Sequence, residues 1–236
     1  EPLPENLKDI SDLVVKEKAD FGIVVDPDVD RLAFVCEDGS MFGEEYTLVA
    51  VADYVLSINK GNTVSNLSST RALSDITNKY GGIYFASAVG EVNVVEKMKE
   101  TKAVIGGEGN GGIIYPELHY GRDALVGIAL FLTSLALKNS KVSKVRSSFT
   151  NYFISKNKIQ LKPSHDVSMI LSKIQEKYIN NKINTIDGVK IDFDEGWVHL
   201  RKSNTEPIIR IYTESLSKEK ADSLAITFIE EINNLI

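Results

Sequence analysis

The sequence predicts an α/β protein in which a parallel-sheet α/β domain is followed by a smaller α+β domain with an antiparallel sheet. Three observations predict it. Between residues 44 and 137 short β-branched runs alternate with helical patterns, as parallel strands joined by crossover helices require. Beyond residue 150 the period changes to hairpin-like strands with two amphipathic helices. The 236 residues, 43% hydrophobic and 25% charged, suffice for one large or two modest cores. A net charge of -6 argues against nucleic acid or an anionic membrane as the main partner, although it leaves room for a local basic pocket. The single Cys36 cannot form an internal disulfide, and no signal peptide or apolar span of about 20 residues is present, so a cytoplasmic protein is expected. The chain opens at Glu1 in a Pro-containing segment without an initiator Met, as expected of a piece of something longer.

In chain order, residues 7–18 carry Leu7, Ile10, Leu13 and Val14 at helical spacing, with Asn6 or Ser11 available as a cap. Phe21, Ile23, Val24 and Val25 form a strand expected to be buried, and Pro27 ends it. A second strand follows at 32–36, with a hairpin turn at 37–40 and a return through Met41 and Phe42. Residues 1–43 therefore read as the last part of a domain. A new unit, 44–140, opens with a long helix to about Ile58 and a strand at 63–67. Ser69 or Thr70 would cap the next helix, which Gly81 and Gly82 stop. Strand 83–88, helix 92–100 and strand 103–106 continue the alternation, and the apolar helix 124–137 closes it as core. Residues 138–148, rich in Ser and Lys, read as a linker. The last unit, 150–236, shows a strand at 151–161, a helix at 167–178, a hairpin of 189–193 and 196–200, a strand at 208–212 and a terminal helix at 218–232.

Three stretches carry chemistry. Asp26, Asp28 and Asp30 fall at alternate positions in one tight turn, D-P-D-V-D-R. Their mutual repulsion is relieved by a divalent cation that takes hard oxygen ligands, Mg²⁺ or Ca²⁺ rather than zinc. Arg31 beside them adds a fixed positive charge suited to a phosphate. An EF-hand is excluded because Arg31 stands where that loop needs Gly and the preceding segment reads as strand. A polar solvated turn is the plainer alternative. The second stretch, G-G-E-G-N-G-G at 106–112, lies at the carboxyl end of a parallel strand, where open sheets place ligands. Only Glu108 and Asn110 there can make directed side-chain hydrogen bonds. A dinucleotide fingerprint fits poorly, since the run neither follows the first strand nor opens a helix. The third, R-K-S-N-T-E-P at 201–207, offers the Arg201 fork, the Ser203 and Thr205 hydroxyls and the Asn204 amide as an oxyanion cradle, or else a polar turn.

These three motifs, in this order and spacing, resemble those of the α-D-phosphohexomutases, the group containing phosphoglucomutase, phosphomannomutase and phosphoglucosamine mutase. The first resembles the metal loop, usually D-G-D-G-D-R or D-P-D-A-D-R. The second resembles the sugar loop, usually G-E-x-S-G-H, with Asn110 in place of Ser and Gly112 in place of His. The third matches the phosphate loop R-x-S-N-T-x-P in register. The resemblance implies the end of the family's second domain at 1–43, the third at 44–140 and the fourth at 150–236, with the first, which carries a phosphoserine, outside the chain.

It further implies interconversion of hexose 1-phosphate and hexose 6-phosphate through a phosphoserine and a bisphosphate intermediate. Asp26, Asp28 and Asp30 would hold Mg²⁺ and Arg31 would orient the phosphoserine. Glu108 and Asn110 would bind the hexose, and Arg201, Ser203, Asn204 and Thr205 the phosphate that does not react. Phosphoglucosamine mutase is the alternative, as is a non-catalytic sugar-phosphate or metal-binding module for this stretch alone. The implied partners are a hexose phosphate and the N-terminal domains of the same protein. Ser68 and Ser69 have no acidic or histidine neighbour in sequence and are read as helix-capping residues, not as a phosphoserine.

Overall fold

The computed structural model describes residues 4–162, 165–203 and 206–236, and the chain divides into two units, Glu1–Thr150 and Asn151–Ile236. In the first, a 3-10 turn (Pro4–Asn6) leads into α1 (Lys8–Glu17), which ends at Lys18 in a left-handed conformation. Neither expected cap serves it. Leu7 holds the N-cap position without a side-chain bond, and Ser11 Oγ instead donates to Gly39 O at 2.5 Å. Strands β1 (Phe21–Val25) and β2 (Leu32–Cys36) form an antiparallel pair in the register Val25↔Leu32, so residues 26–31 are a hairpin loop. The expectation of a buried first strand is corrected: β2 is buried throughout, whereas Ile23 and Val25 of β1 are exposed. The reason is that the helices Glu44–Ile58 and Ala124–Lys138 pack on β2 as well as α1 does, whereas β1 meets chiefly β2 and α1.

The alternation then runs through α2 (Glu44–Ile58), β3 (Thr63–Asn66), α3 (Ala72–Lys79), β4 (Tyr84–Ser87), α4 (Glu91–Thr101), β5 (Ile105–Glu108), β6 (Gly112–Ile114) and α5 (Ala124–Lys138). The sheet order is β4-β3-β5-β6. Strands β3, β4 and β5 are parallel, as expected, and β6 adds an antiparallel edge, making the sheet mixed. Helix α2 is buried on nearly all sides because α3, α5, β2 and β5 surround it. Its buried Asp53 is satisfied by Lys79 Nζ at 3.1 Å, Lys138 Nζ at 2.7 Å and the Tyr80 hydroxyl at 3.0 Å, tying three helices together.

An isolated two-stranded ribbon is barely stable. The β1–β2 pair is held by a phenylalanine cluster: Phe131 of α5 stacks on Phe34 at 4.1 Å between centroids and meets Phe21 and Phe42 edge-on at 5.9 and 5.4 Å. Only one face of α5 is core, contrary to the expectation for this apolar helix. Ala124, Gly127, Phe131 and Ser134 are buried, but Leu125, Leu132 and Leu137 are 65%, 43% and 72% exposed. The stretch expected to be a linker also differs, because α6 (Val142–Ser147) buries Val142 and Val145. Ser143 Oγ donates to Glu37 at 2.5 Å, and the Arg146 guanidinium lies 3.3 Å from the Tyr46 ring centroid.

The second unit contains β7 (Phe153–Gln160), α7 (Val167–Lys177), β8 (Lys182–Asn184), β9 (Val189–Phe193), β10 (Gly196–Lys202), β11 (Ile208–Ser215) and α8 (Lys218–Asn233). Its antiparallel sheet has the order β7-β11-β10-β9-β8. Strand alternation sends Ile191, Val198, Leu200, Ile209 and Ile211 to the face covered by Ile170 and Ile174 of α7 and Phe228 and Ile232 of α8. Asp166 caps α7 and Ser217 caps α8 through their side chains. Among the described residues no helix is long and apolar enough to cross a membrane.

Candidate functional site

In the first unit the β1–β2 loop folds around Asp26. Its Oδ1 accepts from the backbone N–H of Asp30 at 3.2 Å and of Arg31 at 3.0 Å, and its Oδ2 from Arg31 Nε at 2.6 Å. Burial alone would raise this carboxyl, but the Arg31 and Asp30 bonds outweigh it and hold the pKa down to about 2. Val29 reaches a φ of 59° to close the turn, an unusual conformation for a β-branched residue. One oxygen from each of Asp26, Asp28 and Asp30 then lies within 4.8 Å of the others. Burial and the neighbouring Asp26 and Asp28 push the Asp30 carboxyl up, opposed by Arg122. The buried Asp30 Oδ1 has no hydrogen-bond partner among the described residues. Three hard oxygen donors with one buried lone pair unmatched suit a metal ion of the Mg²⁺ or Ca²⁺ type.

Two backbone bonds set this turn against the rest of the unit. Leu32 N donates to Gly111 O at 3.1 Å, and Ala124 N, at the start of α5, to Val29 O at 3.1 Å. Gly111 has a φ of +86°, and a Cβ there would come within 2.2 Å of Leu32 O, so this approach requires glycine. The glycine loop therefore abuts the aspartate turn. Glu108, the last residue of β5, is only 5% exposed. Its Oε1 accepts from Asn66 Nδ2 at 2.8 Å and Gly90 N at 3.2 Å, and its Oε2 from Arg122 Nη1 at 3.0 Å. Asn110 Oδ1 accepts from Gly112 N at 3.1 Å, so this side chain shapes its own loop. Ser69 Oγ accepts from Gly109 N at 3.0 Å and donates to Asn66 at 3.2 Å; Thr70 Oγ1 accepts from Ala72 N at 3.2 Å, while Arg71 holds the N-cap position of α3. Ser69 thus braces the glycine loop instead of capping a helix.

Sequence reasoning missed Arg122 and Asn66. Arg122 donates to both Asp30 Oδ2 and Glu108 Oε2, and its Nε lies 3.5 Å from Glu91 Oε2. The available signal was a lone Arg in G-R-D just before the Asp123 cap of α5.

In the second unit Arg201, the last residue but one of β10, has its Nε buried, 3.7 Å from Asp187 Oδ2 and without a hydrogen-bond partner among the described residues. Ser203 is 4% exposed, and its N–H donates to Ile208 O at 3.1 Å. Asn204 and Thr205 lie outside the described residues.

A mixed α/β unit that sets a carboxylate turn against a glycine loop, followed in the chain by an antiparallel α+β unit, defines an α/β protein with a candidate metal site. Three sequence models match the chain in succession: phosphoglucomutase/phosphomannomutase α/β/α domain II over residues 1–39, α/β/α domain III over 43–152 and the C-terminal domain over 156–231. The chain belongs to this family, the α-D-phosphohexomutases. A phosphoglucomutase/phosphomannomutase of Thermococcus kodakarensis is 37% identical over 98% of the chain and 52% of that protein. A phosphoglucosamine/phosphogalactosamine mutase of Sulfurisphaera tokodaii is 32% identical over 100% and 52%. The crystal structure of a phosphoglucomutase/phosphomannomutase family protein from Burkholderia thailandensis superposes with a TM-score of 0.83 at 25% identity, over 98% of this chain and 50% of that one. The chain spans about half the length of the curated relatives it matches.

Proposed function

We propose that these residues belong to a phosphohexomutase that moves a phosphoryl group between the 1 and 6 positions of a hexose, by way of a phosphoserine and a hexose bisphosphate. The observation that carries this reading is the clustering of the three aspartate oxygens within 4.8 Å, set against the glycine loop that carries Glu108. Asp26, Asp28 and Asp30 would hold Mg²⁺, which when bound neutralises charge that develops during in-line transfer. A fungal N-acetylphosphoglucosamine mutase from Aspergillus fumigatus, 14% identical with a TM-score of 0.66, was solved with GlcNAc-6P and magnesium.

Arg31, held through its Nε by Asp26, would orient the reacting phosphoryl group as a fixed positive charge beside the aspartates. Asn110 and Glu108 order the loop that receives the hexose, and Glu108 must exchange some of its protein partners to accept sugar hydroxyls. Arg201 and Ser203, with Asn204 and Thr205, grip the distal phosphate. Because the loop holds whichever phosphate is not reacting, the bisphosphate can bind in either of two orientations, so that each end of the sugar faces the transferring group in turn. No serine of the 236 residues is assigned the phosphoryl-carrying part.

A second reading, phosphoglucosamine mutase, is favoured by the relative named for amino-sugar phosphates, and Asn110 and Gly112, where the sugar loop usually has Ser and His, are compatible with it. Coupled assays of the full-length protein with glucose 1-phosphate, mannose 1-phosphate and glucosamine 1-phosphate separate the two. Calorimetry on the chain tests the metal site directly: Asp28→Ala and Asp30→Ala should each weaken Mg²⁺ binding at least tenfold, roughly the loss expected for a deleted ligand. Unchanged affinity in both would place the metal elsewhere.

A further inference from the structure

Arg122 meets three carboxylates from three different elements. One guanidinium nitrogen donates to Asp30 in the β1–β2 loop, another to Glu108 at the end of β5 at 3.0 Å, and Nε lies 3.5 Å from Glu91 at the start of α4. Its backbone N–H also donates to Glu91 Oε1, at 2.9 Å, so both ends of the residue are anchored. The side chain is 20% exposed, which keeps these pairs from full solvent screening. Its path depends on Gly112. A Cβ at that position would stand 2.5 Å from Arg122 Cδ and 3.2 Å from Cγ. The position where the related motif usually carries His is thus the space through which Arg122 crosses from the α5 side to the carboxylates.

We propose that Arg122 is a positioning residue that joins the aspartate turn and the glycine loop into one unit, so that a cation bound at Asp30 is felt at Glu108. The proposal rests on the reading of Asp26, Asp28 and Asp30 as the metal site. Asp30 Oδ2 is held by Arg122, and its buried Oδ1 has no hydrogen-bond partner among the described residues, so the arginine aims the second oxygen of the same carboxylate. Charge that Asp30 gives to a dication is withdrawn from its pair with Arg122. The guanidinium is planar and rigid, so the adjustment passes to the Glu108 bond, and from Glu108 Oε1 to Gly90 and Asn66. A lysine would keep the charge and lose the two-pronged link.

Amide NMR of the chain titrated with MgCl₂ alone tests this. In the unsubstituted chain, amides at 28–31 and those of Gly90 and Glu108 should shift with one midpoint. In Arg122→Met the response should shrink to the turn and to Gly111, which has its own backbone bond to Leu32, and the midpoint should rise roughly tenfold or more. Arg122→Lys should fall between. Gly112→Ala, which leaves Arg122 in place but obstructs its path, should also silence Gly90, and it serves if Arg122→Met does not fold. Shifts at 28–31 without any at Gly90 and Glu108 in the unsubstituted chain would overturn the proposal while leaving the metal reading intact. A Gly90 response that survives in Arg122→Met or in Gly112→Ala would overturn it by showing another route. No shift anywhere on adding Mg²⁺ would remove the metal reading and this proposal with it.

Discussion

Arg201 and His199 lie two residues apart on β10, and each makes a testable difference to the second unit. Arg201, near the end of its strand, has a buried donor that no described residue satisfies, a costly state that a bound oxyanion would relieve. Charge-assisted bonds of this kind contribute about 1.5–3 kcal/mol each. Arg201→Ala should therefore weaken phosphate binding by roughly tenfold to a hundredfold, with Arg201→Lys intermediate, as read from the amide shifts of Lys202 and Ser203 in a phosphate titration. His199 is buried and donates Nε2–H to Asp187 O at 2.6 Å. Burial, aided by Lys190, lowers its pKa to about 4 against the Asp187 carbonyl, which favours protonation. The unfolded chain takes up this proton near pH 6.5 and the folded chain only near 4, so the stabilisation is complete above about 6.5 and is lost as pH falls towards 4. The loss is roughly 2–3 kcal/mol. Urea unfolding followed by the fluorescence of Trp197, the one tryptophan, should show that loss between pH 7.5 and 4.5, and His199→Gln should remove it.

At the scale of the element, α5 separates hydrophobicity from burial. Phe131→Ala would delete the ring that contacts Phe21, Phe34 and Phe42 and should cost about 3–5 kcal/mol, while Leu137→Ser on the exposed face should stay within roughly 0.5 kcal/mol. Denaturant midpoints of the two variants check this, and equal losses would contradict the one-sided packing. Apolar content alone could not reveal that asymmetry, because periodicity distinguishes faces only when polar residues mark one of them. Where they do, as in α7 and α8, the helices were legible nearly to the residue. Strands β6 and β8 were not, since three residues carry too little alternation and their place is set by the neighbouring strand. Helix α6 was hidden for another reason: its Ser and Lys suggest a tether, but Val142 and Val145 find a core that only the tertiary structure supplies.

Across the whole molecule, the strand–helix alternation of residues 44–137 and the change of period beyond residue 150 were enough to foresee an α/β unit and an α+β unit, because each period couples a sequence pattern to one kind of sheet. Asp26, Asp28 and Asp30 were readable because like charges at alternate positions need a reason. Arg122 was not, because nothing local links it to residues 92 and 14 positions earlier; only folding brings it to Asp30 and Glu108. The backbone bonds from Leu32 to Gly111 and from Ala124 to Val29 carry a further consequence, for solvent exchange. A surface loop ordinarily opens alone and its amides lose protection within the fast range of local fluctuations. Here the aspartate turn cannot lift away without breaking bonds to the glycine loop and to the first turn of α5, so the three segments form one cooperative opening unit. The amides of Leu32 and Ala124 should exchange deuterium at closely similar, slow rates set by that shared event, and a chain that holds its carboxylates this way keeps them arranged before any ion arrives.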